Sequence, residues 1–140
     1  MSTRTFALVF GIVFLLAGIS GFIPGLLHHV PVDAPPLTVD KGYGLVLGLL
    51  PVNLLHNLVH VLFGVMGIAA FAGLFAPRLY AQIVAISYGL LVILGLLPAT
   101  NTLFGLVPIY GNDVWLHLAL GAIAAFFGFT APTPVAATQE

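Results

Sequence analysis

Four apolar runs succeed one another along the chain, and no charged residue interrupts any of them between its ends: Thr5–Ile23, Val52–Phe75, Tyr80–Leu97 and Asp113–Phe129. A helix needs about 20 such residues to cross a bilayer, so each run predicts a spanning helix. Loops 24–51 and 98–112 connect the first to the second and the third to the fourth. Residues 131–140, "APTPVAATQE", are polar and Pro-containing and read as a disordered tail. The expected fold is an all-α membrane protein, a four-transmembrane-helix bundle occupying residues 1–130.

Polar residues break the apolar pattern in one register. Asn53, His56, Asn57, His60 and Gly64 are spaced i, i+3, i+4, i+7 and i+11, which at 3.6 residues per turn makes a single stripe. In the fourth run Asp113, His117 and Gly121 form the matching stripe. Lipid offers such groups no partner, so both stripes are expected to face the bundle interior and each other.

The two stripes also match as sequence. A shift of 57 positions lays Pro51, His56, His60 and Gly64 over Pro108, Asp113, His117 and Gly121. The ends of the first and third runs, "SGFIPG" and "LGLLPA", put Pro24 over Pro98, and an insertion in the first loop accounts for the different offset. This predicts two tandem helical hairpins related by a pseudo-two-fold axis along the membrane normal. "YGLVLGLLP", Tyr43–Pro51, is read as a short interfacial or re-entrant helix, with "LFGLVP" as its counterpart in the second hairpin. The Pro-rich part of the first loop is expected to be extended.

Composition sharpens this reading. Of 140 residues 61% are hydrophobic and 5% charged, with a mean hydropathy of +1.19, against about a quarter charged in soluble domains. Three basic residues and a net charge of −1 argue against a nucleic-acid partner; the expected surroundings are the lipid bilayer. There is no cysteine, which excludes disulfides, thiolate sites and iron–sulfur clusters. Arg4 and Arg78 fall on one side and Lys41 on the other, so both termini are expected in the cytoplasm. The expected membrane is an inner (plasma) membrane or an internal photosynthetic one. All five histidines and Asp33, Asp40 and Asp113 fall toward the outer side, and the cluster is expected to open there.

Three readings of the cluster stand side by side. His, Asn and Asp can fix helix packing by interhelical hydrogen bonds, each worth about 1 kcal/mol. Alternatively, His56, His60, Asp113 and His117 supply three nitrogens and a carboxylate, a donor set suited to Zn²⁺ or Cu²⁺. Asn53 and Asn57 would then orient the ligating rings from behind. A third reading uses His60 and His117 as cofactor ligands, to haem or a chlorophyll-type pigment. The His28–His29 pair could cap the cluster. "HNLVH" has the spacing of a zinc-protease helix, but Asn57 stands where the glutamate base would be, so no catalytic set is assigned. No polar path continues through the inner half, which argues against transport. The functional expectation is a small non-enzymatic membrane protein that binds a metal ion or metallo-cofactor, alone, as a homo-oligomer or within a larger membrane complex. The alternative is a structural or accessory subunit of a respiratory or photosynthetic complex whose polar cluster only sets packing.

At "FALVFGIVFLLAGISGFIPG", "LPVNLLHNLVHVLFGVMGIAA" and "DVWLHLALG" the chain resembles a bacterial family of small four-helix membrane proteins, the domain of unknown function (DUF) 4383. The resemblance runs from Phe6 to about Phe129, and Val52–Gly64 and Trp115–Gly121 are its most specific parts. It implies fold and membrane location without an activity. Its polar motif positions fall on Asn53, His56, Asn57, His60, Asp113 and His117.

Overall fold

The computed structural model describes residues 1–130; the expected tail, 131–140, lies outside the described residues. Four helices carry the fold: α1 (Thr3–Ser20), α2 (Leu54–Phe71), α3 (Pro77–Leu96) and α4 (Asn112–Ala125), the last continuing as a π-helical turn over Phe126–Thr130. Each is long and apolar enough to cross a membrane. The outward faces agree: Leu16, Leu62, Ile86 and Ile93 are each more than half exposed, and large apolar residues exposed all round a bundle need a lipid solvent.

Local chemistry sets the helix starts. Ser2 caps α1, its Oγ accepting from Thr5 N–H at 3.1 Å. Asn53 caps α2 by accepting from His56 N–H at 2.9 Å. Pro77 opens α3, where its missing N–H costs nothing. Asp113 sits in the first turn of α4, where a carboxylate meets the positive end of the helix dipole.

α1 packs chiefly on α2, and α3 on α4. Glycines allow the close approach: a methyl on Gly11 would lie 2.9 Å from Ile68 N and 3.0 Å from Gly64 O, backbone atoms that cannot move aside. The hairpins then meet through aromatics, with Phe14 and Tyr88 ring centroids 5.4 Å apart and Phe6 stacked on Phe127 at 4.8 Å.

The hairpins repeat each other residue by residue. α1 buries Phe6, Ala7, Phe10 and Phe14; α3 buries Tyr80, Ala81, Val84 and Tyr88, each 74 positions on. Arg4 Nε donates to the Phe71 carbonyl at 2.9 Å, and Arg78 Nε to the Gly128 carbonyl at 2.9 Å. Donors are thus offset by 74 and acceptors by 57, the two shifts that the sequence alignment requires. Gly21 lies against the Asn57 side chain, and Gly95 against Val114 in the same relation.

One expectation about the first loop is corrected. Tyr43–Pro51 is not a short helix: β2 (Gly44–Val46) and β3 (Leu50–Val52) pair antiparallel, and β1 (Leu27–His28) adds to β2 with Leu27 opposite Val46. The break is at Leu47 and Gly48, with φ of 55° and 71°, a left-handed pair that no right-handed helix accommodates. The counterpart in the second loop is the same turn: Phe104 and Gly105 have φ of 59° and 87°. Leu49 N–H donates to Val46 O at 3.0 Å and Leu106 N–H to Leu103 O at 3.3 Å, again 57 apart. A shared element is therefore present in both loops, as a turn.

Candidate functional site

The α2 stripe and the α4 stripe meet just beneath the connecting loops. His60 lies about 10 Å along α2 from its cap at 1.5 Å per residue, and His117 about one turn into α4. Asn53, His56, Asn57, His60, Asp113 and His117 are all buried, none more than 8% exposed. His56, His60 and His117 each offer a ligand nitrogen, and these atoms lie within 4.8 Å of one another. Ring centroids are 4.5 Å apart for His56–His60, 6.0 Å for His56–His117 and 6.5 Å for His60–His117.

Asp113 stands behind the trio. Its Oδ2 is 3.1 Å from His117 Nδ1, one turn up the same helix, but out of line for a hydrogen bond. The backbone carbonyls of Pro51 and Pro108, equivalent residues of the two hairpins, face the His56 ring. The Nδ1 atoms of His56, His60 and His117 and Oδ2 of Asp113 have no hydrogen-bond partner among the described residues. His117 Nδ1 and Asp113 Oδ2 face each other as a close pair, and the three histidines lie close enough to hold a metal ion.

Aromatic walls complete the repeat. Phe14 stacks on His60 at 6.0 Å, and Tyr88, 74 positions after Phe14, meets His117 edge-on at 4.5 Å. The polar-stripe reading missed Tyr88, although the offset of the proline pair would have put it over Phe14. A cavity of about 60 Å³ lies between the three histidines, Tyr88 and the second loop. A second, of about 250 Å³, reaches His60 and Asp113 between α1 and α4 beneath the β-hairpin.

At the loop end the two loops are tied to each other and to α2 over the site. Asn53 Nδ2 donates to Val39 O at 2.8 Å and to Leu106 O at 2.7 Å, one from each loop. Thr38 and Val39 N–H both donate to Gly105 O, at 2.9 and 3.1 Å. Tyr110 O–H donates to Tyr43 Oη at 2.6 Å, and Tyr43 O–H in turn to Pro35 O at 2.9 Å. Burial and that hydrogen bond raise the Tyr110 phenol above its ordinary pKa, so Tyr110 stays a donor.

Two asparagines differ from their expected place. The Asn53 side chain accepts from the His56 N–H and its amide group holds the roof. Asn57 packs on Gly21 at the end of α1. His28 and His29 are exposed in the first loop and are not in the trio.

No curated protein and no solved structure matches the chain. A family model described as domain of unknown function (DUF4383) does, over residues 4–130. That span takes in all four helices, both tied loops and every residue of the histidine site, and the chain belongs to this DUF4383 family.

Proposed function

We propose that the bundle holds one zinc or copper ion on His56, His60 and His117, with Asp113 orienting the His117 ring. The observation that carries this reading is the convergence of three buried histidines, whose ligand nitrogens lie within 4.8 Å of one another. Zinc–imidazole bonds of about 2.0–2.1 Å put nitrogens of a tetrahedral ion about 3.3 Å apart, so the set tightens by about 1.5 Å at most. An all-imidazole set favours zinc or copper over hard cations. The small cavity beside the trio leaves room for a water in a fourth position, a liquid water occupying about 30 Å³.

A macrocycle is less well supported. Cofactor sites run to about 300–1,000 Å³, and the cavities touching the histidines measure about 60 and 250 Å³. The roofed, desolvated setting suits a resident ion within a non-enzymatic membrane protein, alone or as a subunit of a larger complex. One observation favours packing alone: Asp113 already gives His117 a charged neighbour at 3.1 Å.

Elemental analysis of the untagged protein, purified in detergent without chelator, separates the two. The ion reading expects zinc or copper near one per chain, lost in both His60→Ala and His117→Ala. Metal-free wild type that also takes up neither added zinc nor added copper would leave the packing reading in its place.

A further inference from the structure

The duplicated hairpin supplies its own control for which polar residues packing requires. Where the second hairpin sets Val114 against Gly95, the first sets Asn57 against Gly21. An apolar side chain therefore serves the helix contact, and the amide is not needed for it. Yet Asn57 is 1% exposed, its Oδ1 is buried without a partner, and its side chain makes no hydrogen bond among the described residues. It lies at the floor of a cavity of about 440 Å³ whose walls include Phe22, Leu27 and Leu54.

Lys41 lines the same cavity. It is the chain's single lysine, exposed, and the one Lys or Arg at the loop end, since Arg4 and Arg78 bind the far ends of α2 and α4. Leu27, Lys41 and Gly42 all belong to the first loop, which is longer than the second by the 17 residues that separate the two offsets, 74 and 57. The cavity is thus an addition to the hairpin plan: an extra loop segment, an extra cation and an amide in place of valine, all facing one space. Its volume is within the range of small-molecule sites.

We propose that this cavity binds the headgroup of an anionic glycerophospholipid of the phosphatidylglycerol type. Lys41 takes the phosphate, and Asn57 donates from Nδ2 to a headgroup hydroxyl, its Oδ1 being packed against Gly21. Phe22, Leu27 and Leu54 receive the start of the acyl chains. Position selects the lipid: in a bundle that spans, the cavity lies at the first turn of α2, the depth of the headgroups.

Native mass spectrometry of the full-length protein in detergent tests this, with phosphatidylglycerol and phosphatidylcholine of identical chains. Both lipids carry the phosphate, so the preference comes from the headgroup hydroxyl that Asn57 bonds and from the choline cation that Lys41 repels. The wild type is expected to prefer phosphatidylglycerol by about tenfold. Asn57→Val, which copies the second hairpin, and Lys41→Gln are each expected to remove most of that preference. Equal binding of the two lipids would overturn the proposal, as would an unchanged preference in Lys41→Gln, which decides alone if Asn57→Val does not fold. Competition by free glycerol phosphate at equal concentration would overturn the assignment to a lipid in favour of a soluble ligand.

Discussion

At His117 the imidazole has two neighbours of different kinds, the Asp113 carboxylate near Nδ1 and the edge-on Tyr88 ring. A carboxylate on one ring nitrogen fixes the tautomer and frees the other nitrogen for a metal. If Asp113 orients in this way, Asp113→Asn keeps one metal per chain but weakens it about 10–100-fold, read by competition with a chelator of known affinity. If Asp113 is itself a ligand, the same substitution lowers the stoichiometry of the purified protein. The polar residues of this site were legible because a lone His, Asn or Asp in an apolar run has nowhere to go but inward. Tyr88 was not, since an aromatic in a membrane helix is unremarkable without its neighbour; only the repeat offset points to it.

The roof depends on one side chain more than any other. Asn53 caps α2 and also donates to a carbonyl in each loop, so Asn53→Ala loses a cap worth about 1 kcal/mol. It further strands two carbonyls at about 1–3 kcal/mol each. Asn53→Asp retains the cap acceptor but not the donors and is expected to fall between, in thermal unfolding and in hydrogen exchange of residues 98–107. Sequence periodicity placed Asn53 on the histidine stripe and so implied that it serves the rings; the capping geometry turns its amide away to the loops. The β-hairpin was illegible for a related reason. A short apolar run reads equally as strand or helix, and the choice here rests on non-local pairing of Leu27 with Val46. The roof also carries a pH dependence. Folding raises the Tyr110 pKa, so the unfolded chain loses that proton first, near pH 10. The tyrosine contribution is therefore fully present below pH 10 and declines above it. Tyr43→Phe, which removes the acceptor, brings the folded-state pKa back toward the unfolded one and is expected to shrink the stability lost above pH 10.

Two copies of a hairpin can share one plan only where the backbone contacts that define it are kept, and the glycines show where those are. A methyl at Gly11 meets α2 backbone at 2.9–3.1 Å, and one at Gly95 presses on the Ile109 carbonyl; neither obstacle is a side chain that can turn away. Gly89, one turn beyond Ala85 on α3, has nothing within 4 Å. In that open position Gly→Ala adds about 1 kcal/mol of helix propensity, whereas at the close crossings it forces helices apart and forfeits packing that lipid does not replace. Gly89→Ala is therefore expected to unfold at the wild-type temperature or above. Gly11→Ala and Gly95→Ala are expected well below it, the first because the methyl meets α2 backbone and the second because it meets the Ile109 carbonyl of the second loop. If the trio holds an ion as proposed, loss of metal should accompany both, since α2 carries His56 and His60 while α4 carries His117, and an ion needs the two hairpins at fixed separation. Full metal occupancy in both destabilised variants would separate the close packing at these glycines from the histidine site.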